Sequence, residues 1–284
     1  MTHYTSLSDL IDDRKRALSK GPIALVLVED DIEIESTVVH LQKSGFAKII
    51  VFSAAEIPLP DDIDRVDHNV LSDGALANII NAVVQATPGL WLHYCYNAEY
   101  LFFPFCEHRT VNELIGFSTE ERRDSILSYV VDLYAGDLNA DPTGVSRDNA
   151  YVDSAGYYAL ARTDDTGVEI DRQMEFFGGL RWRFEEHIPY ERRRIDRTSL
   201  FKAIPGLQML QDRRFNVSEY NTYACPWHHS VTAATCSFRT AKALKRNPGS
   251  RYGIESFHWQ NAVQFNWQSQ QLCDLGLMEP GQWF

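Results

Sequence analysis

The sequence lacks the long apolar run of a membrane span and the positive charge of a nucleic-acid-binding protein. A transmembrane helix needs roughly 18 or more consecutive apolar residues, and the 284-residue sequence has no such stretch. It contains 27 lysines and arginines and 39 aspartates and glutamates, which gives a formal net charge of −12. Because this charge repels polyanions, only the arginine-rich residues 181–197 offer a route to nucleic acid. We therefore expect neither a membrane span nor a nucleic-acid partner.

Cysteine is scarce, and the N-terminus does not resemble a signal peptide. The five cysteines form no CxxC pair and are odd in number, which argues for reduced thiols and against structural zinc. The first residues, with Asp9, Asp12 and Asp13, lack the basic-then-apolar order of a secretory leader. Both features predict a cytoplasmic location. The cysteines are Cys95, Cys106, Cys225, Cys236 and Cys273.

Apolar runs and amphipathic segments alternate through the first hundred residues. The first run, residues 22–28, is continuous and rich in β-branched side chains, which is typical of a strand buried on both faces. Gly45 and Pro88 end the two amphipathic segments. This order predicts an α/β fold with a mostly parallel sheet and helices on both faces. The predicted strands are residues 22–28, 47–53 and 63–70, and the predicted helices are residues 32–44 and 74–87.

Polar side chains follow two of these strands. Residues 91–104 predict an apolar and aromatic strand that runs into Asn97 and Glu99, and the acidic residues 29–31 follow the first strand. In open parallel sheets, ligands bind beyond the carboxyl ends of the strands, so both groups are candidate ligand contacts. The alternative is that Glu99 is a solvated residue on an edge strand.

Residues 96–101, Tyr-Asn-Ala-Glu-Tyr-Leu, resemble the Asp-x-Asp-Glu-Phe-Leu motif of GT-A-type glycosyltransferases in the family 2-like superfamily. The resemblance extends best over residues 22–131, and residues 109–115 are similar to the helix that follows the motif. It implies a GT-A-like, Rossmann-like fold with an elaborated C-terminal half. Residues 1–135 would then bind the nucleotide sugar, and residues 136–284 would form the acceptor side of one continuous domain.

The resemblance also implies an activity, the transfer of a sugar from a nucleotide-sugar donor to a glycan or another acceptor. Glu29, Asp30 and Asp31 would lie near the nucleotide, and Asn97 and Glu99 near the diphosphate.

The motif departs from the family pattern at both of its aspartates, which are replaced by Tyr96 and Ala98. In the family these aspartates bind a divalent metal, Mn²⁺ or Mg²⁺, together with the donor diphosphate. Glu99 is the sole carboxylate left in the segment. Three possibilities follow: other ligands hold the metal, cationic side chains replace it, or catalysis has been lost.

Two adjacent histidines, His228 and His229, follow Pro226 and precede a helix predicted over residues 232–246. Imidazole is a common ligand of divalent metals, so both are candidate metal ligands together with Glu99. Neighbouring side chains in an extended segment point to opposite sides, so at most one histidine faces a given site. The alternative is that they are structural or surface histidines.

Glu185 and Glu186 are the candidate catalytic residues. A transfer that inverts the anomeric centre needs a carboxylate base to take the acceptor proton, and a glycine pair at residues 178–179 lies upstream as in the superfamily. The alternative is a solvated pair that forms salt bridges with Arg181 and Arg183. The arginines of residues 192–197 can likewise bind phosphate or form a solvated surface.

The rest of the chain gives weaker signals. A helix is predicted over residues 120–125, a strand over 126–133, a flexible loop over 136–149, a strand over 194–204, and a polar helix over 256–277. The aromatic tail predicts docking on the core or on a second copy, hence a possible homo-oligomer. Two other functions stay open, a non-catalytic GT-A-like module that binds a glycan or a protein, and a nucleotidyltransferase.

Overall fold

A computed structural model describes residues 2–283, which form two compact units. The first unit contains residues 2–100, His108–Leu127 and Thr198–Asn221, and the second contains Leu101–Glu107, Ser128–Arg197 and residues 222–283. Each unit is built from several separate stretches of the sequence. The boundary predicted at residue 135 falls inside the second unit.

The regular elements of the described residues are numbered in chain order. The strands are β1 (His3–Tyr4), β2 (Ile23–Leu27), β3 (Lys48–Ser53), β4 (Asp64–Asp67), β5 (Trp91–Tyr96), β6 (Glu99–Phe102), β7 (Ser125–Ala135), β8 (Ala150–Asp153), β9 (Tyr158–Thr163), β10 (Glu169–Phe177), β11 (Asp196–Lys202), β12 (Ala233–Ser237) and β13 (Ala262–Gln264). The helices are α1 (Leu7–Asp12), α2 (Arg14–Ala17), α3 (Ile34–Lys43), α4 (Ala75–Ala86), α5 (Val111–Glu120), α6 (Leu180–Arg183), α7 (Arg239–Arg246) and α8 (Ser269–Asp274). None of them is both long and apolar enough to cross a membrane.

The first unit contains a mostly parallel sheet in the order β1-β4-β3-β2-β5, and β11 pairs antiparallel with β5. All five residues of β2 are buried, as its continuous apolar run predicts. Side chains from β2, β3 and α4 share one apolar core that includes Leu25, Phe52 and Ile80. The predicted alternation of parallel strands and helices is confirmed, including α3 before Gly45 and α4 before Pro88.

The predicted strand over residues 91–104 is wrong in one respect, because it is divided into β5 and β6. The chain turns at Asn97 and Ala98, where Ala98 has a φ of 62°. Glu99 therefore begins the second strand, and its exposed fraction is 0%. The interpretation of Glu99 as a solvated edge residue is also wrong, because the turn directs its side chain inward.

The second unit combines parallel and antiparallel pairing. Strand β12 lies parallel to β7, with Ser237 opposite Asp132, and β8 runs antiparallel to both β7 and β13. Strands β9 and β10 form a separate antiparallel hairpin. A core cluster around Tyr134, Leu180 and Phe257 joins β7 to α6 and to the C-terminal region.

Several predictions for the second half of the chain are wrong. The helix predicted over residues 120–125 is absent, because α5, which begins with a capping box between Thr110 and Glu113, already ends at Glu120 and β7 begins at Ser125. Residues 232–246 begin as β12 before α7, because the apolar run at their start pairs with β7. The polar helix predicted over residues 256–277 is replaced by β13 and α8, since aromatic packing holds this segment in irregular structure. For example, the ring centroids of Phe265 and Trp267 are 5.1 Å apart.

Candidate functional site

The sheet of the first unit changes direction at β2. The chain proceeds from β2 to β3 and β4 on one side and then crosses to place β5 on the other side of β2. In open α/β sheets, the crevice beyond the carboxyl ends of the strands at such a switch point is where ligands bind. Here the switch point is bordered by Glu29, Asp30 and Asp31 after β2 and by Asn97 after β5.

The amide of Asn97 is fully buried and connects these two loops. Its Oδ1 accepts a hydrogen bond from the backbone N–H of Glu29 at 2.9 Å. Its Nδ2 donates to Asp30 Oδ1 at 2.6 Å and to the carbonyl oxygen of Ile32 at 2.8 Å. Every polar atom of the side chain is thus used to hold the acidic loop in one conformation.

Glu99 has a similar structural role within its own turn. Its Oε2 accepts a hydrogen bond from the backbone N–H of Tyr96 at 2.9 Å. The N–H of Ala98 donates to Thr37 Oγ1 at 2.9 Å, and Thr37 donates in turn to the carbonyl oxygen of Glu33 at 2.7 Å. The turn at residues 96–99 is therefore hydrogen-bonded to the first turn of α3.

Glu33 is the N-cap residue that precedes α3, and its backbone lies in the left-handed region with a φ of 57°. Its carboxylate accepts hydrogen bonds from Ser36 and, at 3.3 Å, from Tyr100, while the two hydroxyl oxygens of Ser36 and Tyr100 are 2.8 Å apart. This network connects α3 to β6 beside the switch point and fixes the orientation of the loop before the helix.

The part of this edge that can meet a ligand is acidic. Asp31 is exposed, and Glu29 and Asp30 are partly exposed. An ionised carboxylate only accepts hydrogen bonds, so this loop suits hydroxyl and N–H donors and repels phosphate. No glycine-rich, phosphate-binding turn precedes α3 in the sequence.

His68 follows β4 at the carboxyl edge of the same sheet and was not predicted from the sequence. Its backbone N–H donates to the carbonyl oxygen of Ser53 at 3.0 Å, and its ring meets Phe52 edge to face. Partial burial lowers the pKa of its imidazole below the ordinary value of 6.5. A neutral imidazole can both donate and accept a hydrogen bond. The sequence placed His68 inside the strand predicted over residues 63–70, and so gave no signal of its position at the edge of the sheet.

The three predicted metal ligands, Glu99, His228 and His229, have different surroundings. Among residues 2–283, no group of three or more His, Cys, Asp or Glu side chains is arranged to bind an ion. Glu99 is buried in the first unit. In the second unit, His228 Nδ1 lies 3.0 Å from the carbonyl oxygen of His229, and the side chain of His229 is 80% exposed.

Glu185 and Glu186 lie on an exposed 3₁₀ turn of the second unit. Glu185 Oε2 accepts a hydrogen bond from Arg193 at 2.9 Å, whereas Glu186 Oε1 is 3.7 Å from His187 Nε2, too far for a hydrogen bond. The salt bridges predicted with Arg181 and Arg183 are wrong. Both arginines turn inward and bind two buried aspartates.

Asp153 is the centre of one of these buried clusters. Its carboxylate has an exposed fraction of 0% and accepts hydrogen bonds from Tyr134 at 2.5 Å and from Trp259 Nε1 at 2.7 Å. Arg183 donates to it at 3.0 Å and lies over the Trp259 ring at 4.7 Å from the ring centroid. The pair is therefore both neutralised and fully hydrogen-bonded.

Asp132 is the centre of the other cluster. Thr240 Oγ1 donates to it at 2.8 Å, and Arg181 approaches it at 3.3 Å. Burial raises the pKa of the Asp132 carboxyl above its ordinary value, against the opposing effect of Arg181. Gly179 allows this approach, because a Cβ there would lie 3.1 Å from the carboxylate oxygen. Two arginines spaced two residues apart were the sequence signal for these clusters.

Comparison of the chain with models of known protein families finds no match, and comparison with curated proteins finds none either. The fold defines an α/β protein with a large, mostly parallel mixed sheet.

Proposed function

We propose that the first unit binds the nucleoside part of a nucleotide sugar at its switch point and that the chain transfers this sugar to an acceptor. The observation that carries the proposal is the reversal of strand order at β2, with the acidic residues 29–31 at that point. Open sheets bind nucleotides at this position. The resemblance of residues 96–101 to the glycosyltransferase motif supports the same ligand.

The chemistry of the acidic loop favours the nucleoside over the phosphates. Ribose hydroxyls and the ring N–H of uracil or guanine are hydrogen-bond donors, and Glu29 and Asp31 offer acceptors for them. His68, on the same edge, adds a neutral group that can donate or accept. The diphosphate then lies away from the carboxylates, because like charges repel.

The reaction in this proposal is a direct displacement. The acceptor hydroxyl oxygen forms a bond to the anomeric carbon, the bond from that carbon to the diphosphate breaks, and the nucleoside diphosphate leaves with the electron pair. A carboxylate takes the acceptor proton. Glu185 and Glu186 are the predicted bases. Glu186 is the better candidate, because Arg193 occupies an oxygen of Glu185.

Binding of the donor should depend little on a divalent metal. Asn97 and Glu99 are fully buried and engaged with the backbone, so the segment that resembles the metal motif presents no metal ligands. The same observation favours a second candidate function, a non-catalytic module that binds a nucleotide sugar or glycan without transfer. Turnover distinguishes the two functions.

Calorimetry tests the proposal directly. The whole chain is titrated with UDP-glucose, GDP-mannose and CMP-sialic acid in EDTA and in Mn²⁺. We expect one donor to bind in EDTA, with less than about a tenfold gain from Mn²⁺, and to bind about tenfold more weakly to Asp31→Asn. Glu35→Gln is the matched control, because Glu35 is exposed on α3 and carries the same charge.

Three results would contradict the proposal in whole or in part. If none of the donors binds under either condition, the switch point is not a nucleotide-sugar site. If Glu35→Gln weakens binding as much as Asp31→Asn does, the loop acts only through its net charge. If a donor binds but is never turned over with any acceptor, the non-catalytic function is the correct one.

A further inference from the structure

Within residues 158–190 of the second unit, three large aromatic rings lie exposed. Tyr158, Trp182 and Tyr190 have exposed fractions of 44%, 39% and 57%. They come from the start of β9, from α6 and from the short turn before β11. We call them the aromatic face. Exposed aromatic rings grouped in this way are typical of a binding surface.

Neighbouring residues pack against each of the three rings. Phe177 is buried, and its ring stacks on Tyr158 with centroids 5.1 Å apart and lies 6.0 Å from Tyr190. Trp182 closes over Gly156, where an added Cβ would lie only 2.7 Å from the indole ring. The glycine thus brings the segment that leads to Tyr158 against Trp182. Tyr158 and Tyr190 therefore share Phe177 as a packing partner, and Trp182 packs on the segment two residues before Tyr158.

The buried cluster at Asp153 supports Trp182 through Trp259 and Arg183. Trp259, which meets Trp182 edge to face at 6.4 Å, donates its Nε1–H to Asp153. Arg183, the residue after Trp182, also binds Asp153. Because a buried ion pair with several further hydrogen bonds has few alternative arrangements, the aromatic face is preorganised for a ligand.

Hydrogen-bonding groups accompany the rings. The guanidinium of Arg193 lies 5.9 Å from the centroid of the Tyr190 ring and donates to Glu185 at 2.9 Å. Glu185 and Glu186 follow Trp182 by three and four residues and remain exposed. The face thus combines apolar ring surfaces with carboxylate acceptors and guanidinium donors.

We infer that the aromatic face binds a neutral glycan. A pyranose ring presents an apolar C–H face that packs on an aromatic ring, and its equatorial hydroxyls form hydrogen bonds with groups at the ring edge. The two exposed glutamates and the net charge of −12 disfavour an acidic glycan. The inference rests on the proposed function in one respect, because this glycan would be the acceptor of the sugar transfer.

Titration of the whole chain with maltohexaose, chitohexaose and laminarihexaose tests the inference, with tryptophan fluorescence and calorimetry as readouts. We expect one of them to bind with a Kd below about 10 mM and to bind at least about tenfold more weakly to the double variant Tyr158→Ala and Tyr190→Ala. Tyr252→Ala is the control, because Tyr252 is 77% exposed in the same unit but outside the aromatic face. If the double variant does not fold, Tyr190→Ala alone is used.

Three outcomes would overturn the inference: no oligosaccharide binds, the variants bind as well as the wild type, or the face mediates self-association that the double variant abolishes. If a protein partner binds the aromatic face and no oligosaccharide does, the inference is overturned in the same way. Donor binding, measured on the same samples, separates the two proposals. Glycan binding without donor binding would remove the proposed transfer and leave the aromatic face as a glycan site.

Discussion

Asn97 accepts a hydrogen bond from the backbone N–H of Glu29, 68 residues earlier in the chain, at 2.9 Å. Through this bond, a residue of the segment that resembles the glycosyltransferase motif supports the acidic loop at the switch point. This segment is thus part of the framework, whereas residues 29–31 after β2 are at least partly exposed.

Replacement of Asn97 should therefore reduce stability. Asn97→Ala leaves the N–H of Glu29 and the carbonyl oxygen of Ile32 without their partner in a buried place, and we expect a loss of about 2 to 3 kcal/mol in the free energy of unfolding. Urea denaturation measures this loss. Asn112→Ala, which removes an exposed amide bound to Gly45, is the control and should change stability little. Equal losses in both variants would refute the structural role.

The cluster around Asp153 should be among the most sensitive positions in the second unit. Asp153→Ala removes the acceptor of the partly buried Arg183, of Tyr134 and of Trp259, so we expect a loss of about 3 to 5 kcal/mol. Asp171→Ala breaks the solvated ion pair with Arg172 and should have little effect, because exposed pairs contribute little. Denaturant unfolding of both variants compares them. If Asp153→Ala lowers the free energy of unfolding no more than Asp171→Ala does, the buried cluster does not stabilise the fold.

Asp132 should make stability decrease as the pH rises. Its pKa is raised by burial above the ordinary value of 3.8, so the native state holds the proton more tightly than the unfolded state. The stabilisation that protonated Asp132 contributes is fully present below about pH 4, and it is lost as the pH rises through the pKa of the native state. The free energy of unfolding of Asp132→Asn, minus that of the wild type, should therefore increase with pH above about pH 4. Parallel pH curves for the two proteins would exclude this effect.

Glu186→Gln should lower turnover once a donor and acceptor pair has been found. A general base contributes on the order of 10² to 10⁴-fold to the rate and does not contact the nucleotide, so donor affinity should stay nearly unchanged. Glu191→Gln is a suitable control, because Glu191 is an exposed glutamate in the next short turn. If neither Glu185→Gln nor Glu186→Gln slows the reaction, the base lies elsewhere in the chain.

Cys106 should be a poorly reactive thiol. Burial, reinforced by the nearby Glu107, raises its pKa to about 12, so very little thiolate exists at neutral pH. We expect iodoacetamide to label Cys106 on the order of 10³-fold more slowly than free cysteine at pH 8. Peptide mass spectrometry against pH measures the rate, which should increase about tenfold per unit between pH 8 and 10. Labelling at the rate of free cysteine would contradict the raised pKa.

The sequence was most informative where structure depends on neighbours along the chain. The five apolar residues of β2, the glycine after α3 and the proline after α4 are local signals, and they predicted these elements correctly. The position of the acidic loop after β2 followed from the same pattern.

The C-terminal half was predicted less well because its elements depend on distant partners. The apolar residues of β12 are compatible with a helix or a strand, and the pairing of Ala233 with Ser128 decided between them. A short apolar run carries no information about a partner more than a hundred residues away.

By itself, the sequence determined the alternation of elements in the first hundred residues and the residues that follow β2 and β5. Only the tertiary structure decided which polar groups face inward. Asn97 and Glu99 can be buried because their side-chain oxygens accept hydrogen bonds from backbone N–H groups of Glu29 and Tyr96. Arg181 and Arg183 turn inward because each forms an ion pair with a buried aspartate, Asp132 and Asp153 respectively. A charged side chain is buried only where a partner lies within hydrogen-bonding distance, and such partners come from strands far apart in the sequence.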